Sequence, residues 1–168
     1  MNPNYLGDSY DIVKRYFCEA MRLLGYHVYV DPMPTGDWCG QIDMFLRFLN
    51  ARSHTELTKQ PAALFLDPDT GVRSGKETEF HTSLQRVASE CMRYDLVFAF
   101  DQSFSRSSPP RLQMDAKLSA LAKLGCFGMY YDSHARVLFA SRNSERIVQL
   151  SKLLVDQGLP AQRLLAVG

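Results

Sequence analysis

Ala62-Ala63-Leu64-Phe65-Leu66-Asp67-Pro68-Asp69-Thr70-Gly71 is the stretch on which the fold turns. Its first half is uninterrupted apolar sequence, whereas a strand with one face in water would alternate, so it reads as a strand buried on both faces of a parallel sheet. Asp67 and Pro68 stop it abruptly. Pro68 then fixes the backbone, and Gly71 permits a left-handed or close-approach conformation, so the two carboxylates Asp67 and Asp69 stand on a turn directly after the strand.

The same pattern recurs on either side. Residues 96–100 form a second apolar strand stopped by Asp101, and residues 27–30 a shorter one closed by Asp31 and Pro32. Helical periodicity predicts helices over residues 12–24, 41–52, 77–92, 112–124 and 144–156, the first capped by Asp8 or Ser9 and followed by Gly25. The apolar positions of the first helix are Ile12, Val13, Tyr16, Phe17, Ala20, Met21 and Leu24. Residues 126–131 and 136–140 read as an antiparallel hairpin, and 163–167 as an edge strand.

Strands alternating with helices imply an α/β sandwich with helices on both faces of a mostly parallel sheet of five or six strands, ending in an antiparallel hairpin. Ligands of such sheets sit beyond the carboxyl ends of the strands. Connection rules bring Asp31, Asp67 and Asp101 to one such rim, which is the strongest functional inference the pattern supports.

A chain of 168 residues, 46% hydrophobic, forms one domain with a real core. Nineteen basic against eighteen acidic residues leave a net charge of +1, too little to steer a polyanion from a distance. Cys18, Cys39, Cys91 and Cys126 lie far apart, as reduced thiols do. The polar N-terminus lacks the order of a signal peptide, and no apolar run nears the ~20 residues of a membrane span. A cytoplasmic location is expected.

Asp67 and Asp69 have the chemistry to hold Mg²⁺ or to accept a hydrogen bond from a substrate amine, with Thr70 and Gly71 beside them. The plain alternative is an ordinary strand-ending turn. Asp8, Asp11 and Lys14 open the first helix and are expected to face water or a ligand, or simply to complement the helix dipole with an Asp11–Lys14 pair. Gln102, Ser103 and Arg106 occupy a Ser/Pro-rich loop after the second strand, suited to gripping a phosphate or base edge, or to a mobile lid. Trp38 stacks on a base or covers the sheet end. His27, His54, His81 and His134 lack metal-ligand spacing.

Three patches together resemble a family of prokaryotic and phage proteins of unassigned activity: Tyr5-Leu6-Gly7-Asp8 with Asp11 and Lys14; Leu64 to Gly71; and Gln102-Ser103-Phe104 with Arg106. More distantly, the layout is similar to the Rossmann-like ribosomal RNA adenine-N6 methyltransferases. There an Asp-x-x-Lys helix precedes the sheet, and an Asp-Pro-Pro-aromatic turn holds the target adenine amine. Asp11-Ile12-Val13-Lys14 matches the first element and Asp67-Pro68 half of the second, while Asp69 and Thr70 replace the proline and the stacking aromatic. Residues 32–36 stand in the place of the family's glycine-rich cofactor loop.

That resemblance implies a Rossmann-like three-layer sandwich and S-adenosylmethionine as cofactor, with Asp8, Asp11, Lys14 and Asp31 around it. Asp67 would be the catalytic group, and Thr70, Gly71, Asp101, Gln102, Ser103 and Arg106 would meet a nucleic acid or nucleotide. Asp67-Pro68-Asp69 also looks like the Asp-x-Asp of Toprim domains and of haloacid dehalogenase-type phosphatases. This would make Asp67 and Asp69 the Mg²⁺ ligands of a phosphoester enzyme, with Arg106 or Lys76 on the phosphate. A non-catalytic protein binding a nucleotide or partner at the same rim is the third reading.

Overall fold

The computed structural model describes residues 6–36 and 40–166. Trp38, Cys39 and Tyr5 lie outside them. The chain runs α1 (Ser9–Leu23), β1 (His27–Asp31), α2 (Gln41–Phe48), β2 (Arg52–Ser53), β3 (Ala62–Leu66), β4 (Gly71–Arg73), β5 (His81–Ser83), α3 (Leu84–Glu90), β6 (Leu96–Phe100), α4 (Pro110–Lys123), β7 (Phe127–Tyr131), β8 (Val137–Ser141), α5 (Ser144–Asp156) and β9 (Leu164–Ala166). Seven strands form the main sheet in the order β2-β1-β3-β6-β8-β7-β9, and β4 pairs with β5 in a small separate one.

From β2 to β6 every pairing is parallel, and β8 enters antiparallel between β6 and β7. The expected hairpin is therefore β7–β8, and β9 closes the edge antiparallel to β7. The fold is a Rossmann-like α/β sandwich.

Every residue of β3 and of β6 is buried, as two-faced burial demands. Ala63, Phe65, Phe98 and Phe139 face one core with Phe17 and Met21 of α1, Phe45 of α2 and Leu150 of α5. Leu64, Leu66, Val97 and Leu138 face the other, with Val87 of α3 and Leu118 of α4. Phe65 and Phe98 stack at 4.9 Å, and the row continues to Phe139 at 6.0 Å. Such aromatic pairs add ~1 kcal/mol each beyond burial.

The structure corrects several expectations. The helix predicted over 77–92 begins only at Leu84, because His81–Ser83 pairs as β5 and Ser83 then caps α3 through Arg86 N. The helix predicted over 41–52 ends at Phe48. Arg52–Ser53 then forms the unforeseen seventh strand, too short to carry an alternation. Ile12, expected inward, is 56% exposed. Phe17, Ala20 and Met21 are buried as expected, and Asp11, Lys14 and Cys18 join them, so the buried stripe of α1 includes two charges.

Candidate functional site

β1, β3 and β6 lie side by side, with Asp31 paired to Leu66 and Leu66 to Ala99, so Asp31, Asp67 and Asp101 do share one rim. Each meets a cation from a different helix. Asp31 pairs with Arg86 of α3, Asp67 with Lys14 of α1, and Asp101 with Lys117 of α4. The acidic rim is thus a row of ion pairs tying helices to strand ends.

Asp101 is wholly buried and fully used. Its Oδ1 accepts from Val72 N (2.9 Å), Ser103 N (3.0 Å) and the Ser103 hydroxyl (2.6 Å). Its Oδ2 accepts from Lys117 Nζ and from the Tyr130 hydroxyl, both at 2.7 Å. Burial, with the Asp101 charge beside it, pushes the Tyr130 phenol well above its usual 10.0. Burial pulls Lys117 below 10.5 against the attraction of Asp101. Gly71 completes this knot: at φ +132°, a β-carbon there would lie 2.3 Å from Asp101 Oδ1. Gly71, Asp101 and Ser103, expected to meet substrate, therefore hold β4 against the end of β6.

Asp67 is also wholly buried, yet only half satisfied. Its Oδ2 accepts from Lys14 Nζ at 3.0 Å, while its Oδ1 is buried without a hydrogen-bond partner among the described residues. Lys14 donates equally to Asp11 Oδ1 at 2.9 Å, and Asp11 Oδ2 accepts from Gly7 N at 2.7 Å. The ammonium also lies 5.0 Å from the centre of the Phe100 ring.

Burial works against the Lys14 charge, but Asp67 and Asp11 outweigh it and hold the amine above its usual 10.5. Burial pushes Asp67 above its usual 3.8 against the pull of Lys14. One ammonium serves two buried carboxylates, so Lys14 keeps its proton and Asp67 ionises reluctantly. The triad carries a net charge of −1 when both carboxylates are ionised.

Asp11 and Lys14 were expected to face water or a ligand; they are buried, joining the Asp-x-x-Lys helix to the Asp-Pro turn. Asp8 is the N-cap of α1, accepting from Tyr10 N and Asp11 N. Asp31 Oδ1 accepts from Met33 N, and Arg86 bridges Asp31 to Glu77. Asp69 is exposed and Thr70 half-buried, the latter tied by its backbone to Phe80 O and Gln102 N.

The loop after β6 is anchored rather than a lid. Phe104 lies between Lys117 and Arg136, and Gln113 of α4 holds Ser105 and Ser108. Gln102 donates to His134 O, and Arg106 is exposed.

The residues missed were Lys117, Tyr130, Arg86 and the Tyr10–His134 pair, whose hydroxyl and Nε2 are 2.5 Å apart. One signal was readable: Lys117 interrupts the stripe Met114, Leu118, Leu121, as Lys14 interrupts Tyr10, Phe17, Met21. A lysine on a buried stripe demands a buried acid.

No group of three metal-ligating side chains occurs among the described residues. A dication at Asp67 would face the Lys14 ammonium, and Asp69 is exposed where Asp67 is wholly buried, so this donor set does not fit Mg²⁺. No helix among the described residues is long and apolar enough to cross a membrane. The chain matches no protein-family model, no curated protein and no solved structure.

Proposed function

We propose that this chain is a divergent methyltransferase-like protein that uses Asp67 to orient an amine of a nucleic-acid base. One observation carries the reading: Asp67 follows a central parallel strand with Oδ2 clamped by the lysine of the Asp-x-x-Lys helix and Oδ1 without a partner among the described residues. A buried acceptor without a donor costs ~1–3 kcal/mol, and an incoming N–H removes that cost. The exocyclic amine of adenine is a donor of this kind.

With both carboxylates ionised, the triad is net negative and favours a cationic sulfonium nearby over a phosphate, which supports S-adenosylmethionine as the partner molecule. When bound, that molecule supplies the electrophilic methyl group. Residues 32–36 follow β1, with Met33 and Gly36 at positive φ, and would be the loop that meets the adenosyl group. Glu56, just after β2, would be the acid that binds the ribose. The nucleic acid would approach from the side of Arg106, Gln102 and Thr70.

A second reading, a binding protein using the same rim without transfer, is favoured by the engagement of Asp8, Asp11 and Asp31 in structural contacts.

A thermal-shift titration with S-adenosylmethionine and S-adenosylhomocysteine tests the proposal, followed by methyl transfer to an adenine-containing oligonucleotide. At about 100 times Kd, either compound should stabilise wild type and Asp67→Asn alike by roughly 2.7 kcal/mol, and only wild type should transfer the methyl group. Stabilisation of neither protein would overturn the reading. Binding without transfer in both would favour the binding protein.

A further inference from the structure

At the opposite end of the strands from the aspartate rim, a surface pocket of about 400 Å³ opens between the end of α3 and the start of α5. Its charged lining is Arg93, Asp95, Arg142 and Arg146. Arg93 follows α3, Arg142 follows β8 and Arg146 lies in the first turn of α5, so the fold, and no basic run in the sequence, gathers the three cations.

The acid in the lining is already used. Asp95 Oδ1 accepts from Arg146 Nη1, and its Oδ2 accepts from Ala62 N at 2.7 Å. The Ser141 hydroxyl donates to Asp95 O at 2.7 Å and accepts from Asn143 N at 3.1 Å, while Gln60 donates to Arg93 O at 3.2 Å. These contacts build the walls, and a ligand need break none of them.

The cations keep open donors. Arg142 is exposed and makes no hydrogen bond or ion pair among the described residues; it lies over the turn at Gly125, with Nη1 3.3 Å from where a β-carbon would stand. Arg93 reaches Glu90, which does not line the pocket, at 3.4 Å. Arg146 gives Nη1 to Asp95 out of its five N–H donors. Three guanidiniums against Asp95 leave the lining at +2, offset in part by Glu90, and like charges gathered in one pocket favour an anion between them.

We infer that this pocket binds the terminal phosphate of a phosphate monoester, with Arg142, Arg146 and Arg93 as donors. A monoester carries about −1.5 to −2 charge at pH 7 and presents three oxygens, which guanidinium forks meet in pairs. A carboxylate, or a diester inside a nucleic-acid strand, offers two free oxygens and a single charge. The volume lies at the small end of ligand pockets, roughly 300–1,000 Å³, and suits a phosphate with its sugar. A sugar phosphate and the 5′ end of a nucleic acid share this chemistry. The whole length of β6 separates the pocket from the rim, so the site stands apart from Asp67.

The experiment titrates the full chain calorimetrically, in phosphate-free buffer of low ionic strength, with ribose 5-phosphate and with ribose. Ribose 5-phosphate should bind at a single site and weaken as salt rises, and ribose should not bind. Arg142→Ala, which breaks no contact of the fold, should weaken binding about tenfold or more, and Arg142→Lys should recover only part of the loss because the fork is gone. Arg47→Ala on α2, outside the pocket, should change nothing.

Competition by oligothymidylate, which offers Asp67 no exocyclic amine, separates the two sources. Displacement by the 5′-phosphorylated form but not by its 5′-hydroxyl counterpart assigns the pocket to a nucleic-acid end, and displacement by neither assigns it to a small phosphorylated molecule. Equal displacement by both would overturn the inference, since an internal diester would then suffice. So would the absence of saturable ribose 5-phosphate binding in the wild type, or folded Arg142→Ala and Arg93→Ala chains that keep wild-type affinity.

Discussion

The ends of β3 and β6 begin as the same sequence, an apolar run cut off by aspartate, and finish as different chemistry. Asp101 collects donors on both oxygens from β4, from its own loop, from α4 and from β7. Asp67 has Lys14 on one oxygen and no described partner on the other. A carboxylate saturated by the fold does structural work and has no lone pair left for a ligand. One that is clamped on a single side is pre-organised to receive a donor, which is why the proposed role falls on Asp67.

Asp101→Ala should break this contrast most severely. It strands the buried Lys117 ammonium and removes the acceptor of Tyr130, a loss of about 4–5 kcal/mol visible as a drop in the urea midpoint. Lys14→Met comes next: it leaves Asp67 and Asp11 buried without a cation and should cost about 3 kcal/mol by the same measurement.

Gly71→Ala drives a β-carbon into Asp101 Oδ1 and Gln102 N and should cost about 2 kcal/mol, shifting the thermal midpoint while leaving Lys14 and Asp67 undisturbed.

The smallest effect is on pH dependence. The folded-state pKa of Asp67 is raised above its usual 3.8 by burial. Its protonated form therefore contributes stability that is complete below 3.8 and is lost as pH rises through the folded value. Asp67→Asn lacks that loss, so the stability of wild type minus that of Asp67→Asn should decline as pH climbs above 3.8. Urea unfolding across that range measures it.

The layer architecture was readable because its signals are local. Residues 62–66 and 96–100 are too uniformly apolar to be anything but central strands, and α5 coincides with residues 144–156 because Asn143 caps it and its stripe is regular. The rim of three aspartates followed from parallel connections alone. Where prediction failed, the cause was tertiary. β2 and β5 are two and three residues long, held by neighbours rather than by pattern.

The site was half legible. Asp67 and Lys14 were named, but their contact was not foreseen, since it joins positions far apart in sequence through a lysine that was placed outside the apolar stripe. Asp101 was assigned to substrate because Lys117 on the buried stripe of α4 calls for an acid without saying which one, and nothing in the sequence brings Tyr130 to the same carboxylate.

Unfolding Asp67→Asn and Asp101→Asn side by side in urea tests the central claim most directly. In Asp67→Asn the amide oxygen still accepts from Lys14 while the NH₂ takes the place of the unpartnered Oδ1, so the loss should stay within about 1 kcal/mol. In Asp101→Asn the amide nitrogen cannot accept from Lys117 and Tyr130, or else displaces the oxygen facing Val72 and Ser103, so about 3 kcal/mol or more should go. Equal losses at the two positions would contradict the account, because Asp67 would then be as much a structural carboxylate as Asp101.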